Sequence, residues 1–370
     1  MKIERITLHH LRTELRHPFE TSFGSISTRD GILIQAFANG LVGLGECAAD
    51  KDPLYSYENT STAWSILSDY LIPAVLGQEL GDYLQYQSLV SFVRGHNMAK
   101  AGLEMALWDL WAKAEQLSLA ALFGGDRSKV DVGVSIGIQP TPEDLLSTAQ
   151  SYLDHGYRRI KIKIKPGREV KETTLLRSSF PDLKLQVDAN SAYTLENAAL
   201  LDPLDHLELL LIEQPLAEDD IWDHRTLQAR FKTPICLDES ITSPRFARQA
   251  LEMEACRVIN IKPGRVGGLG YAREIHDHCL ARGIPVWCGG MLETNVGRAS
   301  NLAIASLPGF SLPGDISASD RYYVLDITQQ SFSLNPDSTI DVPDGPGLGV
   351  DLDLSALDRV SLKTQEFPPK

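Results

Sequence analysis

Residues 159–163, RIKIK, end on Lys163 and set a spacing that later runs keep. LQVD (185–188), LLLIE (209–213) and ICLD (235–238) are also short β-branched or apolar runs. Each closes on one charged residue: Asp188, Glu213 or Asp238. The steps from 163 to 188, 188 to 213 and 213 to 238 are 25 residues each, and VINIK (258–262) brings Lys262 after 24 more. One strand, one helix and two loops need about 25 residues, because a crossover with its helix takes at least about 10–12 and a strand about 5. The ladder predicts repeated βα units closing into a parallel barrel, whose chemistry lies at the C-terminal ends of its strands.

Side chains alternate faces along a strand, which tests this reading. Lys161 and Lys163 share a face opposite Ile160, Ile162 and Ile164, and Asn260 and Lys262 share one opposite Ile259 and Ile261. Asp188 shares a face with Gln186. In each strand the polar set can face the barrel interior while aliphatics meet the helices. Interior lysines are costly unless paired or used. Asp188, Glu213 and Asp238 supply three hard oxygen donors from consecutive strands, the chemistry of a divalent-cation site. Strands two and six of an eight-stranded barrel face each other, so Lys163 and Lys262 are expected on opposite sides of that site. A lysine acts as a base only when neutral, and its ordinary pKa is about 10.4. The second cation at Lys161 and a nearby metal would both favour the neutral amine of Lys163. The pattern suits removal of a proton next to a metal-held carboxylate.

The 370 residues, 43% hydrophobic, allow one barrel plus a smaller domain. A net charge of −14 argues against nucleic-acid binding, which needs clustered Lys and Arg. The opening MKIERITLHHLRTEL has no apolar signal-peptide core, and no apolar stretch reaches the length of a membrane span. The five cysteines are odd in number, scattered and without a CxxC pair, so a reduced, cytoplasmic setting is expected. No histidine sits at the carboxylate-bearing strand ends, against zinc. A homo-oligomer is expected.

Residues 1–125 lack the ladder and read as an α+β domain. ITLHHLRTEL, DGILIQAFA and GLVGLGECA are antiparallel strands with a turn at Asn39-Gly40, and helical patterns follow, Trp108 and Trp111 being core positions. The barrel occupies 126–322, beginning near VDVGVSIG and ending at FSLPGD. Thr141-Pro142 and Ser243-Pro244 mark helix starts. Residues 323–370 are expected to pack back on the first domain.

The K-x-K of IKIK, the Asp of QVDAN, the Glu of IEQPL, the DE of LDES and the Lys of NIKPGRVGG resemble the enolase superfamily, muconate-lactonizing subgroup. Lysine bases beside Mg²⁺ are a known pattern of that superfamily. PFETSFG, GECAA, PLYS, RIKIKIKPG, IPVWCGGMLET and LPGDISASDRYY narrow the resemblance to the o-succinylbenzoate synthase and N-succinylamino acid racemase family, over nearly the whole chain.

The resemblance implies an α/β fold: a modified TIM barrel, (β/α)7β, with an α+β capping domain built from both terminal segments. It implies Mg²⁺, with Mn²⁺ as a substitute, on Asp188, Glu213 and Asp238. Lys163 would remove the α-proton, Lys262 would steady the enediolate or serve the opposite face, and Lys161 would tune Lys163 and contact the substrate carboxylate. Asn190 and Glu239 would orient the ligands and Lys262. Arg265, in KPGR, goes with members that racemise as well as dehydrate. A small-molecule carboxylate is the expected substrate. Phe19, Ser22 and Phe23 lie in one expected capping loop, which Gly24 would let flex, and Tyr55 lies in another. Ser135 could bond a succinyl group, and Met291 and Leu292 could wall the pocket. Two reactions follow: dehydration of 2-succinyl-6-hydroxy-2,4-cyclohexadiene-1-carboxylate to o-succinylbenzoate for menaquinone or phylloquinone, or racemisation of N-succinylamino acids. A non-catalytic relative would have shed the buried lysines, and all are present.

Overall fold

The computed structural model describes residues 1–22 and 24–368. Three antiparallel strands open the chain: β1 (Arg5–Thr21), β2 (Gly24–Ala38) and β3 (Leu41–Cys47). Ala38 pairs with Leu41, leaving Asn39 and Gly40 as a two-residue turn with φ of 51° and 76°. Asn-Gly takes that doubly left-handed conformation with little strain. Helix α1 (Asn97–Ala114) packs on β3, and glycines set the closeness. A Cβ on Gly43 would stand 2.1 Å from the Ala106 carbonyl oxygen, and one on Gly45 2.1 Å from that of Gly102. Trp108 and Trp111 are core residues, with Trp108 between Tyr83 and Phe123.

The barrel strands are β4 (Val134–Ile136), β5 (Arg159–Lys163), β6 (Lys184–Asp188), β7 (Ile212–Glu213), β8 (Ile235–Leu237), β9 (Val258–Ile261) and β10 (Val286–Cys288). They pair in chain order as one parallel seven-stranded sheet. The register explains the repeated spacing. Lys163 lies opposite Asp188, Asp188 opposite Glu213, and Glu213 opposite Cys236, two residues before Asp238 on the same face.

FSLPGD closes the ring without forming a regular strand. Leu312 N and Asp315 N donate to the carbonyls of Val286 and Cys288 on one side. On the other, Gly314 N donates to Asp131 O, and Gly133 N to Gly314 O. Pro313 between them has no N–H to give, so the ladder is reduced to isolated bridges.

Helix α2 (Pro142–Asp154) starts on Thr141, whose hydroxyl accepts from Asp144 N, and α3 (Pro244–Glu252) starts the same way on Ser243. Proline at the first helical position removes an N–H that would have no partner. Between β6 and β7 the crossover is a 3₁₀ helix, Ala198–His206, with Pro203 inside it. Helix α4 (Leu269–Leu280) links β9 to β10. At the far end of the chain β11 (Ser361–Phe367) runs antiparallel to β1, with Ile6 opposite Phe367, and becomes the outer strand of the cap sheet.

Candidate active site: carboxylates and lysines at the barrel mouth

The polar faces of β5 to β9 meet at one end of the barrel, and every charged group there is buried. Asp188, Glu213 and Asp238 are at most 1% exposed, and Lys161, Lys163 and Lys262 at most 8%. Lys163 Nζ donates to Asp188 Oδ2 at 2.7 Å and to Asn190 Oδ1 at 2.5 Å. Lys262 Nζ donates to Asp238 Oδ2 at 2.7 Å and to the Tyr55 hydroxyl at 3.1 Å. Lys161 Nζ lies among Asp315 Oδ2 at 2.6 Å, Glu213 Oε2 at 2.8 Å and Asp188 Oδ2 at 3.1 Å. The two outer lysines thus stand beside different carboxylates of one array, with Lys161 joining its first half.

Supporting groups take up the remaining bonds. Asn190 bridges Lys163 and Glu239, its Nδ2 donating to Glu239 Oε1 at 2.8 Å. Asn190 reaches Lys163; the hydrogen bonds of Lys262 go to Asp238 and Tyr55. Asn260 Nδ2 donates to Glu213 Oε1 at 2.7 Å. Arg265 is buried, ion-paired to Asp238, and its Nε donates to the Ile241 carbonyl at 2.7 Å. Gln214, in the left-handed region at φ 37°, accepts from Asp238 N at 2.9 Å and donates to the Ser240 hydroxyl at 2.7 Å. It holds the backbone from which Asp238 and Glu239 project.

Charge follows this packing. Burial would push Asp188 up, but the ammonium groups of Lys163 and Lys161 hold its carboxyl below the usual range. Burial and the Asp188 charge push Glu213 up. Glu239 is pushed up to about 7 by burial and by Asp188. Burial alone would lower Lys161, yet Asp315, Glu213 and Asp188 raise it. Lys262 is raised against burial by Tyr55, Glu213 and Glu239.

The donor set suits a hard divalent cation: three buried carboxylates on adjacent strands, with no thiol or imidazole among them. Among the described residues, no three Asp, Glu, His or Cys side chains converge closely enough to hold a metal as they stand. The reason is visible in the ion pairs, since ammonium groups occupy the oxygens that would face an ion. Asp188, Glu213 and Asp238 would be the residues that hold such an ion.

A cavity of about 340 Å³ opens above the array between barrel and cap. Phe19, Ser135, Tyr55, Met291 and Leu292 all line it. Tyr55 goes further and donates to Asp238 Oδ1 at 3.0 Å, so the cap touches the array directly. The Ser135 hydroxyl already donates to Asp315 Oδ2 at 2.9 Å. The Met291 carbonyl accepts from Arg29, and Leu292 is held at φ 54°. Ser22 donates to the Asn190 carbonyl at 3.2 Å, tying the first capping loop to the barrel. Phe23 lies outside the described residues. Sequence reading passed over Asp315, Gln214, Arg159 and Arg321. Asp315 carried a signal, as an acid at the end of a barrel segment, but its position broke the repeat.

A parallel barrel with lysines flanking three strand-end carboxylates, under a cap made from both ends of the chain, defines an enolase-type enzyme. Residues 2–124 match the mandelate racemase / muconate lactonizing enzyme N-terminal domain, and residues 144–356 the enolase C-terminal domain-like family. The chain belongs to this family, whose enzymes are generally dependent on a divalent metal and act on small molecules. It is 48% identical over 360 residues to an o-succinylbenzoate synthase of Geobacillus kaustophilus, covering 97% of this chain and 96% of that one. It is 47% identical over 362 residues to an N-succinylamino acid racemase of Thermus thermophilus, covering 98% of each. An enolase-superfamily structure from Listeria innocua superposes with a TM-score of 0.96 at 41% identity, covering 100% of this chain and 99% of that one. Among the described residues no helix is long and apolar enough to cross a membrane.

Proposed function

We propose that this chain is an o-succinylbenzoate synthase, dehydrating 2-succinyl-6-hydroxy-2,4-cyclohexadiene-1-carboxylate, and that the same site racemises N-succinylamino acids. The observation that carries the reading is the pair of buried lysines, Lys163 on Asp188 and Lys262 on Asp238, at the two ends of one carboxylate array. Relatives of both names, at nearly equal identity over the full length, support a site able to do both. Asp188, Glu213 and Asp238 would hold Mg²⁺, or Mn²⁺ in its place. The ion supplies Lewis-acid stabilisation of negative charge on the substrate carboxylate.

In the dehydration Lys163 takes the proton α to that carboxylate. Electrons from the broken C–H bond move into the carboxylate as an enediolate, which the Lys262 ammonium faces. The C–O bond to the ring hydroxyl then breaks, the hydroxide leaves as water with the proton that Lys163 carries, which returns the amine to neutral, and the ring becomes aromatic. In racemisation one lysine removes the α-proton, and the other returns a proton to the opposite face of the same carbon. Asn190 fixes the Lys163 head and Tyr55 that of Lys262. The five free, buried cysteines suit a reducing, cytoplasmic setting.

The test is turnover of the cyclohexadiene with Mg²⁺, followed as o-succinylbenzoate appears, beside Lys163→Ala. Loss of a general base costs about 10²–10⁴-fold or more, so both activities should all but vanish in the variant. Negligible turnover by folded, metal-loaded wild type would leave racemisation as the reaction. An Ala variant with full activity would remove Lys163 from the chemistry.

A further inference from the structure

Four of the cations that line the reaction cavity already have carboxylate partners: Lys161, Lys163, Lys262 and Arg29, the last with Asp50. Lys51, at the rim, is exposed to water. Arg321 differs from both groups. It is partly buried, it lines the cavity, and among the described residues no carboxylate forms an ion pair with it. Its guanidinium donates to the Ser135 carbonyl and meets the Tyr152 hydroxyl, while Nε has no hydrogen-bond partner. Three rings surround it, Tyr322 at 5.3 Å, Tyr152 at 5.8 Å and Phe19 at 5.9 Å from ring centre to Cζ. Aromatic faces hold a guanidinium in place without neutralising it. A cation withdrawn from water and left without a counter-charge is costly.

The surroundings show what the charge faces. Arg321 stands in the wall between the reaction cavity and an adjoining cavity of about 850 Å³, and lines both. Ser135 connects it to the array: the Ser135 carbonyl takes the Arg321 bond, and its hydroxyl bonds Asp315, which in turn holds Lys161. Each substrate of the proposed function carries two carboxylates. One adjoins the carbon that loses its proton and belongs with Asp188, Glu213 and Asp238. The other, at the end of the succinyl chain, needs a cation elsewhere in the same cavity.

We propose that Arg321 receives this distal carboxylate and so selects succinyl-bearing dicarboxylates over their monocarboxylate analogues. The inference rests on the function proposed above. A guanidinium suits the task because its planar fork bonds both oxygens of a carboxylate, and a caged one loses little freedom in doing so.

The test is calorimetric binding with Mg²⁺ of o-succinylbenzoate and of 2-butanoylbenzoate, in which a methyl group replaces the distal carboxylate. Wild type, Arg321→Met and Arg321→Lys are compared. Wild type should bind o-succinylbenzoate at least tenfold more tightly than the analogue. Arg321→Met should bind the two alike while keeping wild-type affinity for the analogue, which a merely misfolded pocket would lose. Arg321→Lys should keep part of the preference, and it gives the same comparison if the Met variant does not fold. A wild-type ratio retained in either variant overturns the Arg321 assignment alone. A folded wild type that binds neither compound overturns the proposed function and this inference with it.

Discussion

Lys161 Nζ and Asp315 Oδ2 lie 2.6 Å apart, joining the second barrel strand to the segment that closes the ring. Asp315 also pairs with Arg159 inside the barrel, its Oδ1 2.7 Å from an Nη1 that is wholly buried. Lys161 further lies 4.8 Å from the centre of the Trp287 ring. The lysine is therefore held from below and from the side, with its head turned to Asp188 and Glu213.

Asp315→Asn removes one of the three charges that together outweigh burial at Lys161 while keeping its shape. The expected result is a fall in kcat of about tenfold or more, equivalent to about 1.4 kcal/mol, with KM changed less. A stability loss of about 1–3 kcal/mol should accompany it, since Arg159 is left without its carboxylate. Steady-state kinetics and denaturant melts on the same preparation separate the two effects. Unchanged kcat would show that Lys161 does not depend on Asp315.

Asp238→Asn should weaken Mg²⁺ binding by at least about tenfold, the scale seen when groups at a metal site are altered. Calorimetry on the folded variant reads this directly. Chelation of wild type should abolish turnover, and added Mg²⁺ should restore it. Full activity in excess chelator would end the metal assignment.

Gly289 has no room for a side chain. A Cβ there would stand 2.3 Å from Asn260 Oδ1 and 2.6 Å from Lys262 Cε. Gly289→Ala should push the lysine from Asp238 and cut activity strongly, with a cost in stability of about 1–3 kcal/mol from overpacking. A variant as active as wild type would show that the Lys262 head tolerates displacement.

Glu104, in α1, is fully buried and accepts hydrogen bonds from Trp108 Nε1 and Gly270 N, both at 3.1 Å. Burial pushes its carboxyl up to about 8. A raised carboxyl stays protonated in the fold at pH values where the unfolded chain has already lost that proton. Its contribution to stability is complete below about pH 4.5 and is lost as pH rises toward 8. In melts of wild type and Glu104→Gln, the glutamine variant should gain in relative Tm between pH 5 and pH 8. A constant difference across that window would contradict the titration.

The spacing of Lys163, Asp188, Glu213, Asp238 and Lys262 was legible because parallel register converts equal sequence intervals into one spatial level. FSLPGD was legible as the last barrel segment, but Asp315 in it was not singled out, because it follows Lys262 after more than one further unit and so falls outside the repeat. Tyr55 was readable as a cap residue facing the cavity. Its bonds to Asp238 and Lys262 were not, since they depend on how the cap docks. Arg321 stayed hidden because arginines are ordinary at the surface, and only the aromatic cage sets this one apart.

The pairing of Ile6 with Phe367 carries a consequence for synthesis. The first strand of the cap waits for the last, so β1 keeps an open edge while the whole barrel is being made. Such an edge is a template for wrong partners until it is covered. A product cut off before residue 361 would hold every lysine and carboxylate of the array and still lack the outer strand of the first sheet. The four-stranded sheet is completed only when that last strand has emerged.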